Sequence, residues 1–373
     1  MRQVRLIPKK TSTLHDFPYA HERRKCFHAW IINVTPPGYD HCIHRCTFCY
    51  AREAIYSRAS GGVTQIYSNL PELVEADLKR LRLCPPISLS NTTDPCQDIP
   101  ELRLEVKRLV RLIMDYGASF AIHTKGDPSF LLDLDGFAEY ERKFVAVSIE
   151  GPPDVVALLS PNAPSFEKRI EVVQKLARLG VKVVVRFDPA FVHLFRAIYG
   201  VHWEEEIENL IDLFARSGSM HVVSSTGRLS RKRAPGRLSL QERIYRLICA
   251  ASPALAEEFL ADYRYDDTYT SKGYLLRHDL RLSFHRLLRG FCEARGMTYA
   301  TCQETHAWET DSEGLPHCEA MPLPFTVKGA DGRFHPIEGC AANCHVSCRG
   351  VPFPPCGRPE LAVPEPFKRR WLK

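Results

Sequence analysis

The sequence has 373 residues and lacks the features that would indicate a membrane-spanning or secreted protein. No apolar run approaches the roughly eighteen residues that a membrane-spanning helix needs. The N-terminus is polar and basic, and it carries no recognisable secretory signal. Internal repeats are also absent, which excludes a repeat architecture. From these absences we expect a cytoplasmic protein without a membrane partner.

The composition is that of an ordinary soluble protein with a large core. Hydrophobic residues make up 45% of the chain and charged residues 25%. The length suits one α/β barrel plus an extension. A net charge of +6 permits nucleic-acid binding without requiring it. The 14 cysteines agree with a reducing compartment, where thiols serve as metal or cluster ligands more often than they form disulfides.

The most informative feature is a group of three cysteines on one short stretch, Cys42, Cys46 and Cys49. Three thiolates can hold three corners of a cubane iron–sulfur cluster and leave the fourth iron open to a small molecule. Three nearby thiols could also be half of a zinc site, but zinc thiols usually come as two pairs. A disulfide would leave one of the three unpaired. The spacing therefore favours a cluster, with zinc as the alternative.

Strand-like and helix-like stretches alternate along the first two thirds of the chain. The predicted strands cover 28–35, 87–90, 119–123, 144–149, 181–187 and 220–224, with a further strand at 297–301. The predicted helices include 51–56, 101–116, 166–180 and 203–216. Six strands alternating with helices imply right-handed βαβ units and a parallel sheet. An open doubly wound sheet has the same local pattern as a barrel.

These patterns divide the chain into four parts. Residues 1–27 form a basic N-terminal arm, predicted to be irregular, and residues 28–237 form the α/β unit. Residues 238–296 form a helical segment that completes or covers this unit, and residues 297–373 form a cysteine-rich tail.

Polar side chains follow the predicted strands where each strand ends. Because the carboxyl ends of parallel strands gather at one edge, these side chains should line one site. A zwitterionic ligand needs a cation for its carboxylate and oxygen acceptors for its amine. The candidates for the first role are Lys125, Ser148 and Arg186, and those for the second are Thr93, Asp94 and Asp188. Any one of them could instead be a satisfied polar group at a strand end.

The motif Cys-x3-Cys-x2-Cys-Tyr-Ala, with Phe48 before the last cysteine, resembles the signature of the radical S-adenosylmethionine (SAM) enzymes. The Thr-x-Asp-Pro segment and the strands ending in Thr-Lys, Val-Ser-Ile and Arg-Phe-Asp-Pro are similar to the spore photoproduct lyase-like branch, over residues 28–225. The resemblance implies a partial (β/α)6 TIM-like barrel with a [4Fe–4S] cluster that binds SAM at its open iron. Reductive cleavage of SAM would yield methionine and a 5′-deoxyadenosyl radical, which abstracts hydrogen from an unidentified substrate.

The same resemblance implies roles for individual residues. Phe48 would pack near the adenine of SAM, and Lys125 and Ser148 would contact its methionyl part. A reductant such as flavodoxin or ferredoxin would supply the electron. The lyase of this branch has a hydrogen-donating cysteine where this chain has Asn91, so we do not expect thymine-dimer repair. Cys96 lies on the same loop and is a displaced candidate for the donor.

Seven of the fourteen cysteines lie between Cys292 and Cys356, in a stretch rich in proline and glycine. This density predicts a second metal centre that orders the tail. The expected ligands of an auxiliary iron–sulfur cluster are Cys340, Cys344 and Cys348 together with Cys302 or Cys356. Zinc, with His345 as a further ligand, is the alternative. Cys302 ends the last predicted strand, so it should face the barrel mouth and is also a candidate catalytic residue.

One stretch between Met220 and Leu240 has no acidic residue. It contains the basic residues Arg228, Arg231, Lys232, Arg233 and Arg237, and the C-terminus adds Lys368, Arg369, Arg370 and Lys373. A phosphate-rich substrate could bind there, although a solvated basic loop explains the first run equally well. Two alternatives therefore remain: a radical SAM enzyme that cleaves lesions in, or modifies bases of, nucleic acid, and a non-catalytic zinc- or cluster-containing nucleic-acid-binding protein.

Overall fold

The computed structural model describes residues 3–14, 30–52, 57, 59–231, 238–268, 273–337 and 351–353. Its strands are β1 (Val4–Ile7), β2 (Trp30–Ile32), β3 (Thr64–Tyr67), β4 (Leu83–Cys84), β5 (Ile87–Leu89), β6 (Phe120–Thr124), β7 (Lys143–Ser148), β8 (Val183–Phe187), β9 (His221–Ser224), β10 (Tyr263–Asp266), β11 (Gly273–Leu276), β12 (Thr298–Thr301), β13 (Thr326–Lys328) and β14 (Phe334–Pro336). Its α-helices are α1 (Leu70–Arg80), α2 (Pro100–Tyr116), α3 (Pro153–Leu159), α4 (Phe166–Arg178), α5 (Val192–Tyr199), α6 (Trp203–Arg216), α7 (Leu240–Ala251), α8 (Pro253–Asp262), α9 (His278–Glu293) and α10 (Ala307–Thr310).

The main sheet has seven parallel strands in the order β2-β5-β6-β7-β8-β9-β12. Neighbouring strands follow one another along the chain without a reversal, whereas a doubly wound sheet reverses its order at a switch point. The doubly wound alternative is therefore wrong for the strands that the structure describes. The α/β class and the parallel sheet are confirmed, and this strand order is consistent with a partial barrel.

Alternation along the strands gives the sheet two different faces. Val145 and Val147 point to the face covered by the helices, where they join the larger apolar core. Ala146 and Val184 point to the opposite face, called the inner face from here on, and pack against residues 315–323. The carboxyl ends of the strands border this inner face, so polar residues there can reach one another across several strands.

Helix α2 shows how the local sequence sets an element's length. Its stripe of Leu102, Val106 and Leu109 is fully buried, which stabilises the fold by roughly 1.5–3 kcal/mol for each side chain. The helix ends at Gly117, whose φ of 76° is left-handed and suits glycine. A Cβ at Gly117 would lie 2.4 Å from the backbone oxygen of Phe334, so the β13–β14 hairpin packs closely against this helix end.

The expectation of an irregular arm over residues 1–27 was wrong for Val4–Ile7, which pairs as β1 with β3 in parallel. None of its four side chains is buried, so the strand has no apolar periodicity, and its pairing partner lies about sixty residues away in the sequence. The Asp77 carboxylate then accepts hydrogen bonds from the hydroxyls of Ser12 and Thr13, which fixes the following segment to α1.

The two predicted C-terminal parts contain both predicted and unpredicted strands. Residues 238–296 include the antiparallel hairpin β10–β11 between helices, which was not predicted. The strand predicted at 297–301 is confirmed as β12, which pairs in parallel with β9, so the predicted tail begins inside the main sheet. Further on, β13 pairs with β4 and β14.

Several predicted residues lie outside the described ranges. They are the tail ligands Cys340, Cys344, His345, Cys348 and Cys356, and the basic residues Lys232, Arg233, Arg237, Lys368, Arg369, Arg370 and Lys373. Within the described ranges, no helix is both long and apolar enough to cross a membrane.

Candidate active site

The three clustered cysteines lie on the loop that follows β2. Cys46 is buried, while Cys42 and Cys49 are half-buried, and all three are free thiols. The loop is held from two helices, since the Thr47 amide donates to the Leu159 carbonyl at 2.8 Å and Arg243 Nε donates to the Thr47 carbonyl at 2.7 Å. The loop also turns through a left-handed residue between the first two cysteines, Arg45 with φ 45°. Distant parts of the chain therefore fix the loop's shape.

The three thiols are close enough for their charges to interact. Burial, with a smaller contribution from Asp94, raises the pKa of Cys42 to about 12. Burial also raises the pKa of Cys46 and Cys49, and the charges of Cys42 and Cys49 would raise the pKa of Cys46 further. The bare thiols therefore stay protonated at neutral pH, and a bound cation would have to displace their protons.

The donor set fits a cluster held by three thiolates. In the described part of the chain, no three Cys, His, Asp or Glu side chains form a group suited to one metal ion. A cubane cluster makes a different demand, because it spreads its thiolates over separate iron atoms. Three free thiols on one fixed loop meet that demand.

Asp94 connects the cysteine loop to the ends of β5 and β6. Its carboxylate lies 3.2 Å from His44 Nε2 and accepts hydrogen bonds from Thr124 Oγ1 at 2.6 Å and the Lys125 amide at 2.5 Å. Burial would raise the pKa of Asp94, but His44 and the hydrogen-bond donors hold it well below its usual range. The amides of Cys96 and Gly126 donate to it as well. Both carboxylate oxygens are thus used within the chain, which leaves little capacity for the predicted contact with a ligand amine.

Lys125 extends from the end of β6 towards the cysteine loop. Its Nζ lies 5.0 Å from the centre of the Phe48 ring and 3.0 Å from Glu150 Oε1. Burial lowers the pKa of Lys125, but the carboxylate of Glu150 and the nearby Cys46 more than reverse this and raise it above its usual value. Glu150 is itself fully buried and forms a second ion pair with Arg169 at 2.7 Å. Lys125 is therefore a positive charge held beside the cysteines.

A second polar group lies on the inner face at the ends of β8 and β12. The Arg186 guanidinium forms ion pairs with Asp188 at 2.5 Å and with Glu319, and it donates to Cys302 Sγ at 3.7 Å. Burial lowers the pKa of Arg186, but the two carboxylates raise it well above its usual value. The Ser225 hydroxyl donates to the other oxygen of Asp188 at 2.5 Å. This arrangement connects three strand ends.

The remaining predicted residues are less accessible. The Thr93 hydroxyl shares a hydrogen bond of 2.6 Å with the Thr35 hydroxyl. Ser148 is buried at the end of β7, and its backbone oxygen accepts a hydrogen bond from Arg169. Cys96 is only 1% exposed and belongs to the apolar core on the helical side, where burial raises the pKa of its thiol. That position does not favour the predicted role of Cys96 as a hydrogen donor.

The structure thus brings the predicted residues together in two groups. The first contains the cysteine loop, Phe48, Asp94 and Lys125, and the second contains Arg186, Asp188 and Cys302. Sequence reasoning missed Glu150 and Glu319 as site residues. Glu150 could have been found, because it directly follows the buried β7 run. No local sequence pattern indicated Glu319, because its partner Arg186 lies 133 residues earlier in the chain.

Comparisons with known proteins agree with this geometry. The family model described as the Radical SAM superfamily matches residues 37–214. The radical SAM Nalpha-GlyT isomerase of Pseudomonas phage M6 is 23% identical over 349 residues, which cover 90% of this chain and 69% of that protein. An uncharacterized protein of Acidianus two-tailed virus is 30% identical over 169 residues, which cover 40% of this chain and 53% of that protein.

Solved structures extend the similarity to the fold. A mutant of spore photoproduct lyase superposes with a TM-score of 0.55 at 18% identity, over 79% of this chain and 80% of that chain. A second mutant of the lyase, with bound AdoMet and dinucleoside spore photoproduct, gives the same values. At this identity the likeness concerns the fold. The cysteine loop therefore lies within a region, residues 37–214, that matches the Radical SAM superfamily, and the chain as a whole is similar to a radical SAM isomerase and has a fold similar to that of spore photoproduct lyase.

Proposed function

We propose that Cys42, Cys46 and Cys49 hold a [4Fe–4S] cluster and that SAM binds beside it, at the carboxyl ends of the strands. The observation that carries this proposal is the placement of three interacting free thiols on one fixed loop, with the Lys125 ammonium next to them. Once bound and reduced, the cluster would supply the electron for cleavage of SAM to methionine and a 5′-deoxyadenosyl radical, which would abstract hydrogen from the substrate. An external one-electron donor such as flavodoxin or ferredoxin completes the system.

The chain's own residues bind and orient SAM. Lys125 offers its ammonium to the carboxylate of the methionyl part, and its pair with Glu150 keeps the side chain directed at the loop. Ser148 lies at the end of the next strand and is the second contact for this part. Phe48 packs against the adenine. For the amine of SAM we favour Asp188, whose side chain is 21% exposed, over the fully engaged Asp94.

Arg186 and Cys302 line the inner face beyond this binding region. Arg186 has five N–H donors, and those not directed at Asp188, Glu319 and Cys302 can bind an anionic group of SAM or of the substrate. Cys302 is half-buried at this face and keeps the two roles predicted for it, as a catalytic thiol or as a ligand of a second centre.

Metal analysis after anaerobic reconstitution tests the cofactor part of the proposal. We expect about four iron and four sulfide per chain with visible cluster absorption, or about eight of each if the tail cysteines hold a second cluster. Cys344→Ala should then remove about half of the iron and leave the first cluster in place. A chain that binds only zinc and shows no cluster absorption would contradict the proposal.

A second candidate within the same class is a nucleic-acid substrate. Arg228 and Arg231 are exposed on the loop after β9, and Trp308 is 79% exposed after β12, stacked on His306 at 4.0 Å and 8°. A hydrogen bond connects the loops that follow β9 and β12, because the Glu304 carboxylate accepts from the Thr226 amide at 2.8 Å. Surfaces that bind single-stranded nucleic acid combine exposed aromatic rings, which stack bases, with basic side chains, which contact phosphates. The lyase structure with its dinucleoside supports the same choice.

We expect a single-stranded oligonucleotide to bind with a strong dependence on salt. Trp308→Ala should weaken this binding by about 1–3 kcal/mol, because it removes a stacking partner. Replacing both Arg228 and Arg231 by glutamine should make the negative slope of log K against log salt concentration shallower by about 1–2. Fluorescence anisotropy at two salt concentrations measures both effects. Arg178→Gln, on the exposed end of α4, is the control. Binding that does not respond to salt would rule out a nucleic-acid substrate.

A further inference from the structure

Residues 315–323 close the inner face of the sheet, on the side away from the helices. The apolar side chains of this segment are Leu315, Cys318, Ala320, Met321 and Leu323. They pack against strand residues Ala121, Phe144, Ala146, Val184, Val223 and Ala300. This contact covers these apolar side chains, and Glu319 of the same segment reaches Arg186 near the end of β8. The segment therefore forms a floor beneath the proposed site.

The backbone of this floor segment is fixed where it passes the sheet. The Cys318 carbonyl lies 2.9 Å from His221 Nε2, and the Glu319 amide donates to His317 Nδ1 at 3.2 Å. Ala320 has a left-handed φ of 59°, a conformation that non-glycine residues adopt rarely. This turn lets one charged residue project from an otherwise apolar stretch into the interior.

That residue is Glu319, which is fully buried. Its Oε1 forms an ion pair with Arg186 Nη1 and lies 3.4 Å from His123 Nε2. A buried carboxylate is stable only when paired, so Glu319 and Arg186 hold each other in place. While Arg186 Nη1 is paired with Glu319, Arg186 Nη2 is directed at Asp188 and Cys302.

We infer that Glu319 is a positioning residue, through which the C-terminal segment fixes the Arg186 guanidinium at the floor of the SAM and substrate chamber. An arginine side chain has many rotamers, and one buried carboxylate at its end restricts it to a single orientation. The inference rests on the proposed function, in which free donors of Arg186 bind an anionic group. It gives the C-terminal region a part in the site that does not depend on a second metal centre.

The kinetics of 5′-deoxyadenosine formation from SAM test this inference. Glu319→Gln should raise the KM for SAM about tenfold, because the guanidinium is no longer held in place, with kcat and cluster content unchanged within about twofold. Glu319→Asp keeps the negative charge on a shorter side chain. Its KM for SAM should therefore be only about threefold above that of wild type. Glu313→Gln, an exposed glutamate in the same region, should match wild type.

A double-mutant cycle with Arg186→Gln distinguishes positioning from general damage. If Glu319 acts through Arg186, the variant with both substitutions should have the same KM as Arg186→Gln alone. Additive effects, or a wild-type KM in Glu319→Gln, would overturn the inference. If Glu319→Gln does not fold, Glu319→Asp tests the inference instead, because a wild-type KM for SAM in Glu319→Asp would also overturn it. A wild-type chain that forms its cluster but no 5′-deoxyadenosine would instead refute the proposed function, on which the inference depends.

Discussion

Replacing Cys46 by alanine should abolish both the iron–sulfur cluster and the reductive cleavage of SAM. Cys46 is the buried middle member of the three thiols, and two remaining thiolates cannot hold three corners of a cubane. Iron content after reconstitution should fall to the background level if the first cluster is the sole centre. The yield of 5′-deoxyadenosine with dithionite as reductant should fall below about 1% of wild type. Chromatography of the quenched reaction measures this yield.

Cys249→Ala is the matched control for this substitution. Cys249 is also a free cysteine, half-buried on α7 and away from the strand ends. It should keep wild-type iron content and turnover. A Cys46→Ala variant that retains its cluster and produces 5′-deoxyadenosine would mean that the ligands have been assigned wrongly.

Replacing Glu150 by glutamine should strongly lower the free energy of unfolding. Glu150 is fully buried between Lys125 and Arg169, with its oxygens at 3.0 and 2.7 Å from them. Removing its charge leaves the fully buried Arg169 guanidinium and the half-buried Lys125 ammonium without their carboxylate partner, and breaking a buried pair typically costs about 3–5 kcal/mol. Denaturant unfolding at pH 7 measures the loss. Glu171→Gln is the control, because its pair with Lys168 is exposed and should contribute almost nothing.

The pH dependence of unfolding gives the same carboxylate a second test. Burial raises the pKa of Glu150, but Arg169 and Lys125 outweigh this and lower it below the model-compound value of 4.5. The folded pKa is thus below the unfolded one, so the stabilisation is present above pH 4.5 and is lost as the pH falls through the folded pKa. The difference in stability between wild type and Glu150→Gln should therefore shrink in acid. A difference that stays constant from pH 7 to pH 3 would contradict this account of the ion pairs.

Much of the sheet could be predicted because its strands carry their signal locally. Five of the seven residues of 181–187 are β-branched or aromatic, and β8 occupies Val183–Phe187. Helix α6 occupies Trp203–Arg216, the range predicted from its periodicity. The order of the strands was harder, since a local pattern does not distinguish a barrel from a doubly wound sheet. The unbroken chain order of the described strands, which ends with β12 beside β9, excludes the doubly wound order.

The parts that could not be predicted depend on partners distant in the sequence. Strand β1 exists because β3 is beside it, and its own side chains give no strong periodic signal. Glu319 has its function only where the floor segment crosses the inner face, and nothing in its sequence neighbourhood indicates Arg186.

Asp94 shows the same limit for a site residue. Its place after a strand predicted contact with a ligand amine, but the sequence did not show that four hydrogen-bond donors and the His44 ring would surround its carboxylate. A strand-end carboxylate can either bind a ligand or hold the loops around it. Which of these occurs depends on how many donors the fold brings to it.

The most direct test of the central claim is anaerobic incubation of the reconstituted wild-type chain with SAM and dithionite. We expect 5′-deoxyadenosine and methionine in equal amounts, with neither formed when the reductant or the cluster is left out. Intact SAM after incubation with a fully loaded, reduced cluster would contradict it.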